Sequence, residues 1–268
     1  MFIVKVPGIN AEDKAKGCER SGNAILKILK EEIFSNEQGK AVEFAKLDLE
    51  EIHLDNLNLG ITNKLIYENS FESFEEKLRI VFLGGDHSIS YSITRAFFDY
   101  CENNGKKPCL IVFDAHADLM PCASAFPMNR NWLRKLIEDG FPADSILLAG
   151  VRNTDEKEIK FMKEKGIRCI SMNILNENLQ EACDTLMEFA NGKELYVSLD
   201  IDVVDPAFAP ATSYKEPGGL SSRQMIYLIQ RINKIKNLRA MDITEINEAK
   251  DASYLTIKLG AKILSEII

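Results

Sequence analysis

Eight short apolar runs punctuate the chain: Phe2–Val6, Val42–Leu47, Ile80–Leu83, Leu110–Phe113, Ile146–Ala149, Arg168–Ser171, Leu195–Leu199 and Leu238–Ile243. They are too short for core helices and most are rich in branched or aromatic residues, so they read as strands. Between them the apolar spacing changes to that of helices. After the third run Ile89, Ile93, Ala96, Phe97 and Tyr100 recur at helical intervals. Thr154, followed by Asp155 and Glu156 and closed by Gly166, predicts a helix capped at both ends. Ser221-x-x-Gln224 has the form of a capping box ahead of Met225, Ile226 and Ile229. A last helix is predicted from about Tyr254 to the C-terminus. Strands alternating with helices require crossover connections, which predicts a single doubly wound α/β domain over residues 1–268. Its eight-stranded sheet should be mostly parallel and covered on both faces. The longest irregular stretches, 118–129 and 204–219, follow strand ends, where open α/β sheets build their sites.

Composition narrows the partners. With 46% hydrophobic residues in 268, the chain has enough apolar surface for one substantial core. Its net charge of −8 disfavours a phosphate backbone as partner and favours a small cation or metal ions. Six cysteines, none in a Cys-x-x-Cys pair, are scattered as small apolar residues would be and suit a reducing compartment. Met1–Val6 is too short for a signal segment, and no apolar run approaches the roughly 20 residues of a membrane span. The expectation is a cytoplasmic protein with no membrane or nucleic-acid partner.

The candidate chemistry collects at strand ends. Directly after the fourth run come Asp114, His116 and Asp118 at alternate positions. If the chain stays extended there, the strand period of two puts all three on one face. Two carboxylates so close repel unless a cation lies between them. His87 closes Gly84-Gly-Asp-His87 after the third run, where glycines permit a sharp turn and close backbone approach. Asp200 and Asp202 end the seventh run, and Asp242 and Glu245 end the eighth. Four carboxylates and two imidazoles gathered at the carboxyl ends of one sheet call for about two divalent cations. Oxygen-rich ligation with imidazole and no thiolate favours manganese or a similar hard ion over structural zinc. His53 has no such company and reads as a surface residue.

These motifs, together with Asp205-Pro-Ala-Phe-Ala-Pro-Ala-Thr212, Glu216-Pro-Gly-Gly219 and Met241-Asp-Ile-Thr-Glu245-Ile-Asn247, resemble the ureohydrolase family of arginase, agmatinase, formiminoglutamase and guanidinobutyrase. Lys16-Gly-Cys-Glu19 resembles the family's early glycine-containing loop more weakly. The resemblance implies an eight-stranded parallel fold, often assembled as a homo-oligomeric trimer or hexamer, and two Mn2+ ions per chain. One ion would be held by His87, Asp114, Asp118 and Asp200, and the other by Asp114, His116, Asp200 and Asp202, with Asp114 and Asp200 bridging. Glu245 would pair with the cationic end of a small guanidino or formimino substrate. The implied activity is hydrolysis of a C–N bond in such a linear compound, with an agmatine-like substrate ahead of an arginine-like one.

One position departs from that pattern. Most members of the family carry a histidine in the loop after Asp-x-His-x-Asp, whereas this chain reads Phe126-Pro-Met-Asn129-Arg-Asn-Trp132-Leu-Arg134, with Asn129 expected in that place. An amide cannot gain and lose a proton near neutral pH. The alternative reading is therefore a slow variant or a metal-binding pseudoenzyme with a structural or regulatory role.

Overall fold

The computed structural model describes residues 1–10 and 12–268. Among these residues, eight strands form one sheet: β1 (Phe2–Val6), β2 (Asp48–Glu51), β3 (Ile80–Gly84), β4 (Pro108–Phe113), β5 (Ile146–Ala149), β6 (Arg168–Ile170), β7 (Glu194–Asp200) and β8 (Leu238–Thr244). Their order is β2-β1-β3-β8-β7-β4-β5-β6 and every pairing is parallel. The helices are α1 (Ser21–Glu32), α2 (Leu59–Glu76), α3 (Ile89–Asn103), α4 (Trp132–Glu138), α5 (Glu156–Lys165), α6 (Met172–Glu177), α7 (Leu179–Phe189), α8 (Ser222–Ile232) and α9 (Leu255–Ile267).

Strand alternation divides the core into two layers. Ile3, Val81, Leu83, Ile111, Phe113, Val197, Leu199, Met241 and Ile243 pack with α1 and α6–α9. Their neighbours Phe2, Val4, Ile80, Phe82, Leu110, Val112, Tyr196 and Ala240 pack with α2–α5. Burial on both faces is why the central strands read as continuous apolar runs. No helix among the described residues is long and apolar enough to cross a membrane.

Two expectations are corrected. The second strand is not Val42–Leu47 but the acidic Asp48–Glu51, paired along β1 from Phe2 to Lys5. It is an edge strand, held by backbone pairing with its side chains largely in solvent, so hydrophobic pattern does not mark it. Val42, Phe44 and Leu47 instead pack half-buried against the core from a loop and a 3₁₀ turn. The α5 cap is Asp155 rather than Thr154: Asp155 Oδ1 accepts from Lys157 N, and Glu158 Oε2 accepts from Asp155 N. Gly166 closes that helix in the left-handed conformation, and the Ser221–Gln224 box opens α8.

Candidate metal and substrate site

Four adjacent strands, β3, β8, β7 and β4, bring their carboxyl ends together, and each delivers part of one cluster. After β3 the chain runs Gly85-Asp86-His87. A Cβ on Gly85 would stand 1.9 Å from the carbonyl oxygen of Gly8, so only glycine allows this approach. Asp86 is buried and accepts from the backbone of Asn10 (2.6 Å) and Ser88 (3.0 Å). Burial, and then the charge of Glu245, push its pKa up to about 7.

Asp114, His116 and Asp118 do converge, but not through continued pleating. The strand ends at Phe113, His116 N donates to Asp114 Oδ1 (2.7 Å), and Asp118 takes a left-handed backbone with φ of 53°. Asp200 and Asp202 are likewise joined by a 3₁₀ turn, in which Asp202 N donates to Asp200 Oδ1 (2.7 Å). Glu245 also has a left-handed backbone (φ 62°). Two strained non-glycine residues among the acids of one cluster are the kind of outlier that packing tolerates for function.

His87 Nδ1 lies 3.0 Å from Asp114 Oδ2, 3.0 Å from Asp118 Oδ2 and 3.4 Å from Asp200 Oδ2. Yet it makes a directed hydrogen bond with none of them, and Asp114 Oδ2 is likewise buried without a partner. His116 Nδ1 stands 2.9 Å from Asp202 Oδ2 and 3.4 Å from Asp114 Oδ1. Two sets of ligand atoms follow, His87–Asp114–Asp118 and Asp114–His116–Asp202, with Asp114 in both. Orphaned atoms pointing into a shared space suit cations better than mutual hydrogen bonds.

Electrostatics agree. Burial, reinforced by neighbouring aspartates, raises Asp118, Asp200 and Asp202 above the ordinary carboxylate range. Burial alone would lower the histidines, but the carboxylates around them outweigh it and raise both.

Several contributions escaped the sequence reading, which marked Asp242 only as an acid ending the eighth run. His87 Nε2 lies 2.9 Å from Ser198 Oγ, which donates to Asp242 Oδ1 (2.8 Å). Asp242, fully buried, also accepts from Ser90 Oγ and Tyr196 OH at 2.8 Å each. Ser198 precedes Asp200 by two positions, which was its one signal. Trp132 Nε1 donates to Asp118 Oδ2 (2.8 Å), and its ring lies 4.9 Å from that of His87. Arg152 donates to the carbonyls of Asp202 and Glu216, each at 2.6 Å, tying the loop after β7 to the end of β5. Glu216 Oε1 in turn approaches His116 Nε2 at 3.4 Å.

Asn129 is buried, with its Nδ2 3.1 Å from Glu245 Oε1, an oxygen that also accepts from His87 N at 3.1 Å. Glu245 Oε2 is buried without a partner. His116, Asp118, Asn129, Asp200 and Asp202 line a cleft of about 320 Å³, within the size range of small-molecule sites. His53 is exposed, away from the cleft.

Comparison with known proteins agrees with this architecture. Arginase 1, mitochondrial, of Arabidopsis thaliana is 30% identical over 195 residues, covering 72% of this chain and 55% of that protein. Agmatinase of Bacillus subtilis is 30% identical over 190 residues, covering 69% and 61%. The matched segment thus spans little more than half the length of these relatives. The crystal structure of formimidoylglutamase from Bacillus subtilis superposes with a TM-score of 0.87 at 21% identity, covering 99% of this chain and 85% of that one, which establishes the fold. A model of the Arginase family matches residues 1–268 from end to end, and the chain belongs to that family.

Proposed function

We propose that the chain is a hydrolase of a linear guanidino or formimino compound, working with two manganese ions. The observation that carries this reading is Asp114, whose two carboxylate oxygens face two different ligand sets. His87, Asp118 and Asp200 would hold one ion, and His116, Asp202 and Asp200 the other. Lewis acidity from the bound ions is the chemistry they supply.

The protein's own residues account for the remainder. Glu245, with one carboxylate oxygen unpartnered, is suited to a guanidinium, which needs paired acceptors and resists attack because its charge is delocalised. Asn129 braces that carboxylate and offers an amide to the substrate. Arg152 and Trp132 hold the loops that carry Asp202 and Asp118. In the reaction, the oxygen of water bonds to the amidino carbon, the C–N bond breaks, and the departing amine takes a proton, leaving urea from a guanidino compound or formamide from a formimino one. No imidazole stands at position 129 to deliver that proton, so turnover is expected to be slow rather than absent. A cytoplasmic setting and a trimeric or hexameric assembly belong to the same reading, the former supported by six free thiols.

The test is a screen of manganese-loaded protein for urea release from arginine, agmatine, guanidinobutyrate and guanidinopropionate, paired with ammonia and formamide assays on formiminoglutamate. Release from one of them supports the reading. Silence on all, with two ions bound, would leave the pseudoenzyme.

A further inference from the structure

We infer that the mouth of the cleft is a carboxylate subsite made by Lys14 and Arg130, so the substrate carries an anionic group at the end remote from its amidino carbon. This rests on the hydrolase reading above and reverses the order in which the sequence placed agmatine first.

Both cations line the same cleft as His116, Asp200 and Asp202. Both are exposed, and among the described residues neither makes a salt bridge. Their backbones are braced. Lys14 O accepts from Ser213 Oγ (3.0 Å) and Lys250 Nζ (2.9 Å), and Gly17, two residues beyond Ala15, turns the segment with φ of 110°. Arg130 N donates to Asn129 Oδ1 (2.9 Å), and Arg130 O accepts from Met120 N (3.2 Å).

Tyr214 links this rim to the floor. Its ring meets His116 edge-on with centroids 6.0 Å apart, and Lys14 Nζ lies over the same ring, 4.7 Å from its centroid. A cation over an aromatic face is oriented without being neutralised, so its donors stay available. The acids at the rim are differently placed. Glu158 Oε1 and Oε2 accept from Leu119 N and Asp155 N, and Asp155 Oδ1 accepts from Lys157 N. Glu158 is buried with both oxygens engaged, and Asp155 keeps one exposed oxygen; the cations of the lining are Lys14 and Arg130, a point charge and a planar fork, the pair that suits a carboxylate.

Agmatine and 4-guanidinobutyrate separate the cases, since they share the guanidino end and a similar chain but finish in an ammonium and a carboxylate. With manganese-loaded protein, kcat/KM for 4-guanidinobutyrate should exceed that for agmatine at least about tenfold. Lys14→Met and Arg130→Met should each raise KM for the carboxylate compound roughly three- to tenfold, leave its kcat nearly unchanged, and not weaken agmatine. Preference for agmatine, or variants that shift both compounds alike, would overturn the subsite while leaving the hydrolase reading intact. If neither compound is turned over, the wider screen above decides the hydrolase reading, and calorimetric binding of the same two compounds decides the subsite. Tighter binding of 4-guanidinobutyrate that weakens in both variants supports it; equal or absent binding overturns it.

Discussion

Asn129 Nδ2 donates to Glu245 Oε1 across 3.1 Å, so the residue expected from the sequence to take the place of a family histidine is in contact with the carboxylate proposed to hold the substrate. The loop bearing Asn129 has not drifted from the site: the side chain is buried and lines the cleft.

Asn129→His should raise turnover on the accepted substrate. General acid–base assistance is typically worth about 10²–10⁴ in rate, and part of that range is expected from a residue already within reach of Glu245. The pH–rate profile should gain a limb above the unperturbed imidazole value of about 6.5, because the neighbouring carboxylate favours the charged ring. Normal metal binding with neither a faster rate nor an altered profile would sink the idea that the missing proton donor limits the reaction.

Asp202→Ala should empty one metal position and spare the other. Asp202 meets His116 at 2.9 Å, whereas the His87–Asp114–Asp118 set does not include it. Metal analysis after gel filtration should fall from about two ions per chain to about one, with turnover down by several orders of magnitude because the nucleophile needs both. Two ions retained in the variant would show that Asp202 is not a ligand.

The apolar runs and the strand-end acids were legible because burial on both faces writes each central strand as a continuous hydrophobic word, and the next residues are then unmistakably polar. Asp48–Glu51 was illegible since an edge strand needs only backbone partners. The route by which the acids converge was also misjudged: φ of 53° at Asp118 and the turn at Ile201–Val203 do what pleating was expected to do. Asp242, Tyr196 and Ser90 form a polar hub between β7, β8 and α3, and Lys14 reaches Tyr214 across 200 positions. Contacts so distant in the chain leave no spacing to read.

Ser198→Ala tests whether that hub fixes the ring of His87. In the wild-type protein Ser198 donates to Asp242, so its oxygen accepts from His87 Nε2–H and leaves Nδ1 free to face Asp114, Asp118 and Asp200. Removing the hydroxyl should weaken manganese binding about 10–100-fold at one of two positions. The fold should persist, because Asp242 keeps Ser90, Tyr196 and the backbone of Leu199 as donors. Unchanged affinity in a metal titration would mean that packing alone, including Trp132, sets the ring.

Stripping metal with a chelator should make stability fall as pH rises. Asp118, Asp200 and Asp202 have folded-state pKa values above the unfolded value, chiefly through burial, so the folded chain binds more protons than the unfolded one. Their stabilising contribution is complete below the unfolded carboxylate pKa of about 4 and is lost as pH climbs through the raised values. His87 and His116 act with the same sign at higher pH, since their raised pKa values favour the folded state until each ring deprotonates. Asp114, held low by the two histidines despite its burial, opposes them only at acid pH. The chelated protein should therefore lose at least several degrees of Tm between about pH 5 and pH 9. Manganese, replacing those protons with its own charge, should flatten or invert the trend. Tm measured at matched ionic strength across that range checks this, and a chelated protein that grows more stable toward pH 9 would contradict the view that the cluster is held together by positive charge.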